Sequence, residues 1–121
     1  MARMLPALAL CLLPALPAEA NDYAKIDDLN RFLSLVEGRE LRLPLYGVRL
    51  RLAPDGTISG SALGWEITGS WRWEDGYFCR EMDWSGTPIP MNCQLVEARG
   101  DSEVRFTVDR GAGDSASFRL R

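Results

Sequence analysis

Apolar residues near position 30 recur at helical spacing. They are three or four positions apart and leave the charged residues between them on the opposite face. The apolar set comprises Ile26, Leu29, Leu33 and Val36, with Phe32 beside it. Asp27 is a suitable N-cap, and Gly38 suits a left-handed C-terminal cap, so the pattern predicts one helix at about residues 28–37. We expect its apolar face to pack against the rest of the domain.

From residue 39 onward the hydrophobic period changes from helical to two. Val48, Leu50 and Leu52 alternate with arginines, as in a half-buried strand. Turn signals then recur at Pro54-Asp55-Gly56, Gly64, Asp75-Gly76 and Arg99-Gly100-Asp101. The segments between them predict strands at 57–59, 65–74, 77–84, 92–98, 102–108 and 115–121, with loops at 85–90 and 109–114.

The spacing of these strands indicates the architecture. About eight strands follow one another at roughly ten-residue intervals, and their connections are too short for helical crossovers. We therefore predict a mainly β fold: a small antiparallel up-and-down β-barrel or strongly curved sheet, capped or plugged by the N-terminal helix. A two-sheet β-sandwich is the alternative. Residues 21–121 form a single domain in either case.

The most distinctive strand carries three tryptophans on one face. Trp65, Trp71 and Trp73 share that face, and the other face is polar. Three indoles in this arrangement either fill a barrel interior or form a stacking platform for flat ligands. Interior packing is favoured, because a domain this small must bury its large side chains. Trp84, beside the predicted loop at 85–90, is the better candidate for contact with a ligand or partner.

The first twenty residues match a secretory signal peptide. Arg3 precedes an apolar run over residues 4–16, and Ala18-Glu19-Ala20 fits the small-x-small cleavage pattern. The run is too short and too rich in proline to span a bilayer, so no stable membrane insertion is expected after cleavage. The sequence predicts a signal peptide at 1–20 and a periplasmic or secreted mature chain. Cleavage also removes Cys11, and in an oxidising compartment the remaining Cys79 and Cys93 are expected to form a disulfide.

Composition excludes several kinds of chemistry. The chain has no histidine, which removes Ser-His-Asp triads, Cys-His dyads and histidine-rich zinc sites. The formal net charge of −3 does not suit nucleic-acid binding. Gly111-Ala112-Gly113-Asp114-Ser115-Ala116 fits a dinucleotide fingerprint, but only five residues follow it, too few for the required helix. We predict no catalytic residues, cofactor or metal.

Two arginines on neighbouring predicted strands are candidate ligand contacts. Arg72 and Arg80 can each neutralise a carboxylate across the sheet or bind an anionic ligand bidentately. Cross-strand ion pairs are the favoured interpretation. Together with Trp84, these two residues make up the predicted contacts with a ligand or partner.

Several segments of the chain resemble a family of small secreted bacterial proteins of unknown function, which combine a signal peptide, a glycine-tryptophan strand and two cysteines. The segments are Gly69-Ser70-Trp71-Arg72-Trp73, Asp75-Gly76-Tyr77-Phe78-Cys79-Arg80, Asn92-Cys93-Gln94 and Val104-Arg105-Phe106. Relatives of this appearance are sometimes labelled dihydrodipicolinate reductase, which implies a nicotinamide-dependent enzyme. The chain lacks an N-terminal dinucleotide fingerprint and the histidine or lysine constellation such an enzyme needs, so it does not support that activity.

These features together predict a monomeric periplasmic or secreted binding module. Its partner would be a small ligand, an envelope component or a protein, met at the barrel mouth or at Trp84. One alternative is an inhibitor that presents the loop at 85–90 or at 109–114 to a lysozyme-type hydrolase. An enzyme that uses carboxylates or arginine is a further alternative, with no motif that specifies its reaction.

Overall fold

The computed structural model of the chain describes residues 22–121, so the predicted signal peptide at 1–20 lies outside the described residues. One helix and nine strands follow in order, with short 3₁₀ turns at Pro44–Tyr46 and Asp109–Gly111. They are β1 (Ala24–Ile26), α1 (Leu29–Val36), β2 (Leu41–Leu43), β3 (Val48–Leu52), β4 (Thr57–Ala62), β5 (Trp65–Glu74), β6 (Tyr77–Trp84), β7 (Thr87–Arg99), β8 (Glu103–Thr107) and β9 (Ser115–Leu120).

Strands β2 to β9 form a closed antiparallel barrel. Each strand pairs with the next along the chain, and β9 pairs with β2, where Leu120 lies opposite Leu41, to close the sheet. The additional strand β1 pairs with the second half of β7, with Ile26 opposite Val96. The predicted eight-stranded up-and-down barrel with one N-terminal helix is therefore confirmed, and the sandwich alternative is not formed.

Both termini of the helix lie close to the predicted positions. Its N-cap is Asp28 rather than the predicted Asp27: the Asp28 carboxylate accepts a hydrogen bond from the Asn30 backbone N–H at 3.2 Å. Gly38 follows the last turn with φ of +71°, in the left-handed region expected of it. Ile26 belongs to β1, not to the helical stripe to which the periodicity assigned it.

The predicted loop at 85–90 is wrong, because β7 already begins at Thr87. Its two prolines, Pro88 and Pro90, suggested a loop, yet Pro88 lies opposite Asp83 in the β6–β7 ladder. The pairing of β7 with β8 starts only at Leu95, so the proline-containing segment has no strand on its second side. Prolines occur in strands mainly where one side has no neighbouring strand, which explains why this segment tolerates them.

The helix covers one end of the barrel. Successive turns of an up-and-down barrel alternate between its ends, so the turns after β3, β5 and β7 lie at the same end. Phe32 of α1 is fully buried there against Trp71 and Trp73. We call the opposite end the open end. It is formed by the turns after β2, β4, β6 and β8.

The three tryptophans of β5 differ in burial. Trp71 is 8% exposed, and its indole Nε1 donates a hydrogen bond to the Ala53 carbonyl at 2.9 Å, while Trp73 packs against the core. Trp65 is 63% exposed, so the expectation that all three fill the interior is wrong for this residue. Trp65 begins β5 at the open end, beyond the packed part of the barrel.

Cys79 and Cys93 form the predicted disulfide. They lie directly opposite each other on β6 and β7, with the two sulfurs 2.05 Å apart. No helix among residues 22–121 combines the length and apolar character needed to cross a bilayer.

Candidate ligand-binding cavity

The barrel interior is not completely filled by side chains. A cavity of about 250 Å³ lies inside it and is bounded mainly by apolar side chains. The walls come from seven strands, and their aliphatic part includes Leu41, Leu50, Leu52, Ile58, Met82 and Ala116. Barrels of eight strands are either filled by their side chains or hold one small ligand, and this one has room for a ligand.

Two phenylalanines separate the cavity from the helix. Phe78 and Phe106 line it, with their ring centroids 5.0 Å apart. Phe32 of α1 packs behind them, with its centroid 5.4 Å from Phe78 and 6.3 Å from Phe106. The aromatic cluster therefore closes the cavity towards the helix.

Two charged residues line the cavity, Asp114 at its mouth and Arg80 in its wall. Arg80 lies on β6 in phase with the inward-facing Phe78 and Met82. Its guanidinium donates one hydrogen bond, from Nη1 to the Pro90 carbonyl at 2.7 Å. Among residues 22–121 no carboxylate lies within 4.0 Å of it. Burial lowers the pKa of Arg80 below its ordinary value, since the charge has lost part of its hydration without gaining an ionic partner.

A second polar side chain lies beside it. Gln94 on β7 lines the cavity and is 5% exposed. Its amide makes no hydrogen bond with any other residue of the described part of the chain. Gln94 is opposite Phe78, two positions along the ladder from the pair of Arg80 and Asn92, so it is a diagonal neighbour of Arg80 on the inner face. A buried amide and a half-buried guanidinium thus leave donors free on one wall.

The mouth of the cavity lies at the β8–β9 connection. Asp114 and Ser115 line it and are exposed to solvent. The connection is tied to β7 by two hydrogen bonds: the Asn92 Nδ2 amide donates to the Asp109 carboxylate at 2.8 Å, and the Asp109 N–H donates to Asn92 Oδ1 at 3.0 Å. These bonds hold one side of the entrance in place.

The structure separates the three predicted contact residues. Only Arg80 reaches the cavity. Arg72 points outward and pairs with Glu74 of its own strand at 3.1 Å. Trp84 is half-buried at the open end, where its Nε1 donates to the Ala62 carbonyl at 3.0 Å, and it shares a shallow depression with Trp65. The favoured cross-strand ion pairs are therefore wrong for both arginines.

Sequence reasoning missed Gln94. The signal was available, because Gln94 is in phase with Val96 and Ala98, the inward-facing residues of the same strand. A polar residue at an inward position of a strand is either satisfied by a partner or faces a cavity. The two sulfurs near Glu74 are joined in the disulfide, so this cluster offers no thiolate to a metal ion.

No protein-family model matches the chain, and no curated protein or solved structure is significantly similar to it. The resemblance to small secreted bacterial proteins stays an expectation. Its function is therefore inferred from the cavity and from the surface around it.

Proposed function

We propose that this protein is an exported binding protein that holds a small ligand with an apolar body and an anionic head group inside its barrel. The supporting observation is that Arg80, without an ionic partner among the described residues, enters the wall of an apolar cavity of about 250 Å³. Such a combination of apolar walls and a few polar groups is typical of small-molecule sites.

The cavity volume limits the apolar body. An apolar cavity of about 150 Å³ holds one benzene molecule, so this cavity suits a body of about eight carbon atoms. Each methylene group buried against the leucine and phenylalanine walls contributes about 0.8 kcal/mol. A straight-chain carboxylate of medium length has the required size and shape.

Arg80 and Gln94 select the head group. A carboxylate placed between them accepts hydrogen bonds from the guanidinium and the amide, and a bond to a charged group is worth roughly 1.5–3 kcal/mol. The carboxylate of such a ligand would also form the ion pair with the Arg80 guanidinium that no described carboxylate of the chain provides. Cations are disfavoured at the same place by repulsion.

Export is supported by two features. The first twenty residues match a secretory leader. The Cys79–Cys93 disulfide suits an oxidising compartment outside the cytoplasm. A binding protein in that compartment would meet its ligand in the periplasm or the medium.

The test is a calorimetric titration with octanoate and with octanol. We expect octanoate to bind the wild-type protein, and Arg80→Met to weaken its binding about ten- to a hundredfold by removing the charge. Octanol, which lacks the charge, should bind both proteins with similar affinity. Arg72→Met is the matched control, because Arg72 points outward, and it should bind octanoate like the wild type.

A second pair of variants tests the location. Ala116→Leu adds bulk to the cavity wall, whereas Ser117→Leu adds the same bulk on the outer face of β9. Only the first should shift the preferred chain length towards shorter carboxylates. The proposal fails if millimolar octanoate does not bind, or if Arg80→Met behaves like Arg72→Met.

A further inference from the structure

Four strongly exposed apolar side chains cluster at the open end. Among the large apolar residues of the described chain they have the highest exposed fractions: Leu45 82%, Leu63 65%, Trp65 63% and Tyr46 57%. Leu45 and Tyr46 lie in the turn after β2, and Leu63 lies in the turn after β4. The turns are neighbours, since a Cβ built on Gly47 would lie 3.7 Å from the Leu63 nitrogen. We call these four residues the apolar patch.

Four arginines lie on the outer face of the strands that meet at this end. Arg42 of β2 is directly opposite Arg49 of β3 and Arg119 of β9, and Arg51 is two positions beyond Arg49. Like charges placed opposite each other destabilise a sheet. An arrangement that costs stability in this way indicates selection for something other than folding. We call Arg42, Arg49, Arg51 and Arg119 the arginine stripe.

One carboxylate lies within ion-pair distance of three arginines of the stripe. Glu40 accepts a hydrogen bond from Arg42 at 2.6 Å and lies 3.9 Å from both Arg49 and Arg51. The Arg42 hydrogen bond and the neighbouring arginine charges lower the pKa of Glu40, so this carboxylate is ionised at neutral pH. Glu103 of β8 lies directly opposite Arg119. Four guanidinium groups against these two carboxylates leave the face positive, although the whole chain is acidic.

We propose that the open end docks on a phospholipid bilayer with anionic head groups, with the apolar patch in the interface and the arginine stripe on the phosphates. The β2–β3 hairpin carries both features in the required order: Leu45 and Tyr46 at the tip, Arg42 and Arg49 behind it. One strand residue, Leu43 or Val48, separates each of these arginines from the turn, so each lies about 7 Å beyond it. Aromatic and leucine side chains suit the interface, and arginines reach back from it to the head groups.

Both features together favour a lipid surface over other partners. A soluble polyphosphate would contact the arginines but leave the apolar patch in water. The outer face of a barrel is convex, whereas sites for small anions are concave. A bilayer surface satisfies the patch and the stripe at once. Docking does not depend on an occupied cavity, although the cavity mouth lies at the same end.

The test is sedimentation with lipid vesicles, without any cavity ligand. We expect partitioning into vesicles of equal parts phosphatidylglycerol and phosphatidylcholine to exceed that into pure phosphatidylcholine at least tenfold. Arg42→Gln with Arg49→Gln should remove about tenfold of the partitioning into the anionic vesicles. Leu45→Ser with Leu63→Ser should lower it by at least as much, because the apolar contacts are lost.

The matched controls are the same kinds of substitution at positions away from the proposed docking surface. Arg72→Gln removes an outward arginine from β5, and Leu29→Ser removes an exposed leucine from the helix, at the other end of the barrel. Both should partition like the wild type. Thermal melts identify a variant that fails to fold, and Tyr46→Ser alone then replaces the double leucine variant.

The docking proposal fails if neither vesicle binds the protein, if the controls lose as much partitioning as the test variants, or if millimolar tripolyphosphate binds while the vesicles do not. The octanoate titration is performed without vesicles. Failure of one proposal is therefore distinguishable from failure of the other.

Discussion

Phe32 joins the helix to the barrel. It is fully buried and contacts four aromatic rings of the sheet at centroid distances of 5.0 to 6.3 Å. Two of those rings, Phe78 and Phe106, line the cavity on their other side. One helical side chain thus supports both the closed end of the barrel and the inner limit of the cavity.

Replacing Phe32 should therefore be costly. We expect Phe32→Ala to lower the free energy of unfolding by about 3–5 kcal/mol, since a buried ring is lost and a void remains. Urea denaturation measures the change, and Leu29→Ala, at a position of the same helix that is 38% exposed, should cost much less. If Phe32→Ala does not fold, Phe32→Leu gives a smaller loss of the same sign. A loss under 1 kcal/mol for the alanine variant would show that the helix is not anchored by this ring.

For single residues, the sequence predicted which side of the sheet a side chain points to more reliably than what surrounds the side chain there. Alternation along β6 places Arg80 inward, and alternation along β5 places Trp71 and Trp73 inward. It does not show where the interior is filled and where it is hollow, because that depends on the summed volume of side chains from many strands. Arg80 was therefore assigned a carboxylate partner across the sheet, whereas the fold gives it a carbonyl and a cavity.

Strand β7 organises much of the sheet. Its first half pairs with β6, and its second half lies between β1 and β8. The helix, the lengths of β5 and β6 and the tight turn at Asp75 and Gly76 could be predicted from local signals, whereas the first four residues of β7 were predicted as loop. The three-residue β1 could not, because a segment so short has no periodicity of its own and forms only where β7 offers a free edge.

The disulfide fixes the β6–β7 hairpin, with 14 positions of sequence separating its cysteines. We expect reduction of the bridge to lower the free energy of unfolding by about 2–5 kcal/mol, because the unfolded chain gains freedom. Chemical denaturation with and without dithiothreitol measures the loss. The double variant Cys79→Ser with Cys93→Ser should show the same loss and no further response to the reductant. Equal stability of the oxidised and reduced wild type would contradict the expected contribution.

At the scale of the whole molecule, charge is segregated in a way that composition hides. The net charge is −3, yet the arginine stripe gathers four arginines on one side of the barrel. The acidic side chains Glu66, Glu81 and Asp83 lie on β5 and β6, on another side. The net charge of the chain gave no indication of a basic surface. The surface becomes visible only when the strand pairing places these arginines next to one another.

Export of the whole chain can be tested directly. Expressed with residues 1–20, the protein should be recovered from the periplasm or medium with Asn21 as its first residue, because cleavage is expected after Ala20. Intact-mass spectrometry of the fractions measures this. A chain that starts at Asn21 after an initiating methionine is the control and should stay in the cytoplasm. Recovery of the uncleaved chain from the cytoplasm would contradict export.

Because the helix closes one end of the barrel, the cavity opens to solvent at the β8–β9 connection. A ligand held as proposed would enter past the β8–β9 connection, because the phenylalanine cluster and α1 close the barrel towards the helix. Binding and release would then use the same opening, so one ligand would have to dissociate before the next could bind.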